Sequence, residues 1–569
     1  MLMALTAPHR LGRIAAGAAL AFALCILALA LLEGAGVGGQ LVAWMTIAVP
    51  FALYAGLGLA SSTSDSAELA TAGSRVAGAF AGMAAAAQWS AAAFILGAPA
   101  APAFAAYGGP PMLMALTGGY VLAAVLIAPF LRNSCARTLP EFLGARYGGL
   151  VRLLAVAVLT VCALLLLTAF IKAAVAAAAG TLPFPEKIAR AAMLAMLIVC
   201  VLPGGMAGVT ATQVAEYAVL LVGALAALLM SADAPQGVPV IAAHGGIAAS
   251  ETVGLSPAAG VALPAAELFD NGELMLCLMT GTASLPHMLI HSMITRGMRQ
   301  ARASATWSLL FVIMLAMVLP AQATLAPDNA GLFSGLLGVI FLSAMLAGTS
   351  ALLLTLASSL DHDLWRALPA WRAPTEAVGA RRMSGLRPLM LIAAVLAAYA
   401  AQKQALEPRI MLACAFSLSA AGLFPALVLG IWWRRASAAG AAAGMVAGFA
   451  LCVLYLVVSR YFPQAAIRLF GMSALLDPIS GRALVDAQRV LADPGWLADV
   501  PASAANPLAG NVGWLNIDPA ACGILGLAAG FATLIVVSLL GRAPPAESRA
   551  WLEALHAPGG LSGRDSPER

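Results

Sequence analysis

The segment Gly281–Met293, GTASLPHMLIHSM, sets Thr282, Ser284, Pro286, His287 and His291 into an otherwise apolar run. Proline lacks an N–H and disfavours helix at the residue before it, so the run reads as an interrupted span. Backbone groups freed in hydrocarbon cost several kcal/mol each, and irregular backbone persists only where it lines a cavity or a site. A second interruption is expected in AGMAAAAQWSAAAFILGAPAAPA, where Gly97 and Pro99 follow a small-residue stretch centred on Gln88, Trp89 and Ser90. Paired interruptions of this kind point to a midplane binding site in a transporter. Ala-rich spans can equally be plain close-packing helices, so both readings stand at this point. Two further residues place charge inside apolar runs, Lys172 in AFIKAAVAAAAG and Glu216 in GVTATQVAEY. Such charge costs roughly 3 kcal/mol or more and marks function by default.

The elements that must position these residues are membrane spans. Of 569 residues, 62% are hydrophobic and 10% are Asp, Glu, Lys or Arg, where a soluble protein carries about 25% charged residues. Mean hydropathy is +0.94. The eight cysteines are scattered without CxxC spacing, which indicates neither a metal site nor a disulfide framework. No GxxxxGK[ST], HExxH or GxSxG occurs, so ATP coupling and the common hydrolytic chemistries have no support.

Apolar runs of about 20 residues give fourteen spans, near 14–34, 40–60, 76–106, 112–131, 151–179, 189–203, 208–231, 273–295, 306–326, 332–358, 387–402, 408–432, 438–459 and 520–541. With the N-terminus inside, 21 Lys and Arg fall in inner segments and eight in outer ones, and the long outer segment 232–272 has none. That bias places both termini in the cytoplasm. Arg10 and Arg13 before the first run fit either a retained span or a signal peptide, and the length of the run favours a span. The outer segment 460–519 reads as a surface loop, with room for a small amphipathic helix around Ile479–Leu497. The tail after Arg542 is polar, with a short helical stretch at Trp551–His556.

Five spans separate the two interruptions, the spacing of a five-plus-five inverted repeat. Four segments then carry a likeness: TLPEFLGARYG (Thr138–Gly148), GVTATQVAEY (Gly208–Tyr217), GTASLPHMLIHSM followed by ARAS, and LLLTLASSLDHDLW (Leu352–Trp365). In this order and spacing the chain resembles the sodium/solute symporters, nearest their acetate-permease-like branch. The resemblance implies an all-α polytopic membrane protein with a LeuT-like core, spans three to twelve being core helices one to ten. Residues 76–231 would form the first repeat and 273–435 the second, joined by outer loop 232–272. Segments 1–39 and 40–75 would precede the core, with two peripheral helices in 436–541 and a cytoplasmic tail, 542–569, after it.

On this resemblance Gly281–Pro286 is the unwound middle of core helix six, facing an unwound core helix one. Gln88, Trp89, Ser90, Gly281, Thr282, Ser284 and His287 become the expected solute-binding residues. His287 belongs to the family's LPH signature and reads either as a donor to a solute oxygen or as a packing histidine. His291 stands where the family often has Arg and is expected to face the inner vestibule or a neighbouring helix. The family's sodium site would draw on the carbonyls of Ala86, Trp89 and Ala344, but Ala347 and Gly348 occupy the places of its two hydroxyls. Thr349 and Ser350 lie nearby and point elsewhere, since a helix turns about 100° per residue. A proton as coupling ion is the alternative, with Lys172 and Glu216 as candidate groups. Lys172 could instead snorkel outward. Asp361, His362 and Asp363 read as a polar helix terminus.

The expected function is cation-driven symport of a small organic solute, a short monocarboxylate such as acetate, across the inner membrane by alternating access. The alternative is a non-transporting solute sensor that signals through a partner. Expected partners are the solute, the lipid bilayer and possible small membrane subunit, with no nucleic acid; sodium or a proton is the coupling ion and no other cofactor is expected.

Overall fold

The computed structural model describes residues 7–63, 69, 71–97, 110–181, 185–232, 272–322, 331–364, 378–404, 406–461, 474–476, 483–486 and 519–557. Each of the fourteen expected spans has a helix. The first repeat as expected from the sequence corresponds to α3 (Gly78–Gly97), α4 (Pro110–Leu126) continued by α5 (Ala128–Asn133), α7 (Gly149–Thr181), α8 (Glu186–Val201) and α9 (Gly205–Ala232). The second corresponds to α10 (Gly272–Ser284) with α11 (Pro286–Met293), α12 (Met298–Gln322), α13 (Leu332–Ser359), α14 (Val378–Lys403), and α15 (Pro408–Gly422) with α16 (Phe424–Trp432). Around them stand α1 (Pro8–Gly34), α2 (Gly39–Ala60), α17 (Ala438–Tyr461) and α18 (Gly523–Leu540). Two short helices, α6 (Leu139–Tyr147) and α19 (Ala546–His556), lie beside the spans. Among the described residues, ten helices are long and apolar enough to cross a bilayer, eleven when the bent pair α10–α11 counts as one. The chain is therefore a multi-pass membrane protein.

Burial sorts these helices. The apolar windows of α13 and of α15–α16 are each 89% buried, whereas that of α1 is 17% buried. Apolar side chains gain little by leaving lipid, so contact between helices rests on small residues that let backbones approach. Gly281 lies so near the Phe416 carbonyl of α15 that a Cβ has no place there. At Gly348, in α13, a Cβ would stand 2.6 Å from the Ala91 Cβ of α3 and 3.0 Å from the Phe170 ring of α7.

Several expectations change. Helix α3 runs unbroken through Gln88, Trp89 and Ser90, and the Pro99 region lies outside the described residues. The interruption at Gly281–Pro286 is narrower than expected. Helix continues through Ser284, and only Leu285 leaves it, with φ −75° and ψ 124°. Pro286 then opens α11, which turns 41° from α10. Helix α1 packs Leu11, Ala18, Phe22 and Leu29 inward, and the Glu33 carboxylate accepts the Leu332 N–H at 3.2 Å, capping α13. Within Ile479–Leu497 the described residues form no helix: Ala483–Asp486 (β2) pairs antiparallel with Ala474–Leu476 (β1). In the tail the helix is longer than expected and lies on α6, with Trp551 against Phe142.

Candidate functional site

The contact between α3 and the α10–α11 pair is built from polar side chains. Gln88 is 1% exposed, and its Oε1 lies 2.9 Å from His291 Nε2, so that imidazole carries its proton on Nε2. The Gln88 amide approaches Met288 Sδ at 3.6 Å. Tyr120 of α4 closes the group, its hydroxyl donating to the Ala85 carbonyl (3.0 Å) and toward Met288 Sδ (3.1 Å). Tyr120 and Met288 were not among the expected site residues; each is an ordinary apolar-run residue in sequence, and only the packing of α4 and α11 on α3 unites them.

The other expected solute residues divide by the helix they face. Ser284 shares a hydroxyl pair with Ser419 of α15 at 2.8 Å and also bonds the Thr280 carbonyl at 2.9 Å. Gly281 faces the same helix, as its approach to Phe416 shows. Thr282 packs against Gly119 of α4. Ser90 donates to the Ala87 carbonyl within its own helix. Three of the expected solute residues keep buried polar atoms without a partner among the described residues: Trp89 at Nε1, Thr282 at Oγ1 and His287 at both ring nitrogens. His287 is 1% exposed and follows directly on the break.

The expected sodium ligands are not assembled. Because α3 is unbroken, the carbonyls of Ala86 and Trp89 lie where in-helix bonds take them. The Ala347 carbonyl accepts Gln213 Nε2 of α9 at 2.9 Å. Gly348 is pressed against Ala91 and Phe170, so the missing hydroxyl has no room to return. Ala344 is fully buried. Thr349 and Ser350 donate to carbonyls of their own helix, at 2.8 and 2.6 Å.

Lys172 and Glu216 are not a pair. Lys172 Nζ reaches the turn between α14 and α15, donating to the Gln404 and Leu406 carbonyls at 2.9 and 2.6 Å. Its ammonium therefore snorkels to a backbone site. Glu216 is fully buried, and neither carboxylate oxygen has a hydrogen-bond partner among the described residues.

At the end of α13 that meets α6, residues expected as a plain helix terminus form a network. Asp363, fully buried, receives Arg152 Nε at 2.8 Å and Nη2 at 2.5 Å, and the Thr138 hydroxyl at 2.7 Å. His362 Nε2 lies 3.1 Å from the Glu141 carboxylate. Thr138 also accepts the Glu141 N–H at 3.1 Å as N-cap of α6. Burial raises the Glu141 pKa, but the His362 bond and charge, the Arg137 N–H and Arg152 outweigh it and hold the carboxyl down at about 2.

Comparison with known sequences decides the class. The family model described as the sodium:solute symporter family matches residues 70–330 and 323–448. The chain belongs to the sodium:solute symporter family. As a member it is a transporter, a symporter, and not an enzyme. An uncharacterized symporter of Cupriavidus necator is 26% identical, the alignment covering 90% of this chain and 93% of that one. A monocarboxylic acid transporter of Corynebacterium glutamicum is also 26% identical over 71% of this chain and 80% of its own. Among solved structures, a Na+-coupled sialic acid symporter in a substrate-bound, outward-open state superposes with a TM-score of 0.62 at 14% identity. It covers 88% of this chain and 98% of its own. That likeness establishes the LeuT-like fold of the symporter.

Proposed function

We propose that this symporter moves a short monocarboxylate, such as acetate, across the inner membrane by alternating access, with both termini cytoplasmic. The observation that carries the reading is His287. It follows Pro286 at the start of α11, is buried, and has two ring nitrogens without a hydrogen-bond partner among the described residues. A buried polar group without a partner costs about 1–3 kcal/mol, so a side chain kept in that condition is suited to a transient ligand. The N-terminus of α11 adds a partial positive charge of about half a unit where a carboxylate would dock. The unmatched indole N–H of Trp89 offers a second donor on the facing helix. The monocarboxylic acid transporter among the relatives supports the same substrate class. Sodium is the coupling ion that family membership implies, although Ala347 and Gly348 depart from the usual ligands.

The test is uptake of labelled acetate and a panel of related acids into proteoliposomes under separately imposed sodium and proton gradients. Accumulation of a short monocarboxylate under either gradient supports the reading, and the effective gradient names the coupling ion. No accumulation of any acid under either gradient would remove the substrate class.

A further inference from the structure

Helix α19 bridges the ends of two separate spans. On one side it holds α5 and α6. The Asn133 amide of α5 donates to the Leu555 carbonyl at 2.5 Å, and the Phe130 and His556 rings meet at 4.7 Å. On α6, Trp551 lies against Phe142, and the Ser548 hydroxyl donates to the Arg146 carbonyl at 2.9 Å. On the other side His556 meets Trp432, the last residue of α16, with ring centroids 5.7 Å apart. Phe130 and Trp432 also touch each other, at 5.1 Å, so the three rings form one cluster. Both sides lead back to the solute site. Helix α5 packs against α11, which carries His287 and His291. Helix α16 continues α15 after a break at Leu423, and Ser419 of α15 shares its hydroxyl with Ser284 of α10 at 2.8 Å. Helices α11 and α16 thus leave one place, each with proline in its first turn. Helix α19 joins the far end of α16 to the neighbour of α11.

We propose that α19 is a strap that closes the face of the transporter on which α6 lies. Docked on Phe130 and Trp432, it holds α5 and α11 against α16, and the solute site opens to this face when α19 leaves. The docked arrangement is a closed one, since Pro286–Met293 of α11 are all buried. The strap is also the part of this face built to come away. An ion pair, His362 with Glu141, fixes α6 to the end of α13, whereas none joins α19 to its neighbours among the described residues. An eleven-residue helix is marginal alone in water, so α19 keeps its form through the docked side chains Leu552, Ala554 and Leu555. Elements that move to gate a site are drawn from the least firmly held parts of a fold. That the strap gates solute rests on the reading of the site above; its hold on α11 does not.

The test is amide hydrogen exchange in Pro286–Met293, followed by mass spectrometry on the full chain in lipid nanodiscs without solute. The first N–H groups of α11 have no helical partner, so their exchange reports water at the site. Trp551→Ala with His556→Ala frees α19 and should speed this exchange by about tenfold or more, while α2 and α17 exchange as in the parent. The opposite arm joins Phe130→Cys to His556→Cys with a short bifunctional thiol reagent, after Cys135→Ser removes the exposed native thiol. Joining should slow exchange in α11 and cut uptake of labelled acetate into proteoliposomes by about tenfold or more. Unchanged α11 exchange on release, a rise shared equally by α2 and α17, or undiminished acetate uptake by the joined chain overturns the proposal. Should the released variant fail to fold, the joined chain carries the test, and α11 exchange unaltered by joining would sink it. If the parent chain takes up no acetate, the monocarboxylate reading falls, and the exchange results, read without solute, still decide the strap.

Discussion

The two histidines of the LPHMLIH segment differ in what they touch, and that difference is testable. His291 ties α11 to α3 through Gln88 at 2.9 Å, so His291→Ala strands a buried amide oxygen and should cost about 1–3 kcal/mol of stability. His287 has no hydrogen-bond partner among the described residues, so His287→Ala should leave thermal stability nearly unchanged while weakening solute binding by about tenfold or more. Melting curves with and without the transported acid separate the two. Equal losses of solute-induced stabilisation in both variants would make His287 a packing residue. Lys172 shows the same principle from the opposite side. A charge within an apolar run hints at function, yet this one is satisfied by two loop carbonyls, whereas Glu216 has no hydrogen-bond partner among the described residues.

Among the elements, α13 and α15–α16 are the most deeply buried, and along α13 the closest approach is at Gly348. A Cβ there would overlap Ala91 and crowd Phe170, so Gly348→Ala should destabilise by about 1–3 kcal/mol through overpacking. Ala91→Gly in the same chain should recover part of the loss, because the nearer obstacle is the Ala91 methyl. Detergent melting temperatures of the single and double variants measure the coupling, and additive losses would place the strain elsewhere. The same geometry limits any attempt to restore a hydroxyl at this position. The spans were legible in the sequence because a bilayer demands some 20 apolar residues for each helix, and the α10–α11 bend was legible because Pro286 forces it. The partners across helices were not. Gln88 with His291, Ser284 with Ser419 and Gln213 with Ala347 join positions more than a hundred residues apart, and Ala-rich helices carry no periodic mark of which face meets which neighbour. Unbroken α3 escaped for a related reason, since small residues favour close helix packing as readily as they mark an unwound site.

Across the whole molecule, the network at α6 joins parts of the chain that are far apart in sequence. Helix α6 lies between the start of α7 and the end of α13. The pairs Arg152–Asp363 and His362–Glu141 link the two sequence halves. Beneath them Arg146 donates to the Gly430 and Ala436 carbonyls at 3.0 and 3.2 Å and to Ser548 of α19 at 2.6 Å. The C-terminal helix thereby joins the same assembly. Glu141 gives this closure a pH dependence of definite sign. Its folded pKa, about 2, lies below the ordinary 4.5, so the folded chain holds the carboxylate more strongly than the unfolded chain does. The stabilisation is complete above the unfolded value, on the order of 3 kcal/mol at most, and it fades as pH falls from about 4.5 toward 2. Glu141→Gln removes the charge and keeps the shape. Parent and variant stabilities, measured by thermal melting across that range, should differ by a constant amount at neutral pH and converge in acid. A difference that instead stayed constant down to the lowest pH would mean that Glu141 acts through its hydrogen bonds alone, and that the halves are held on this face by Arg152 and Asp363.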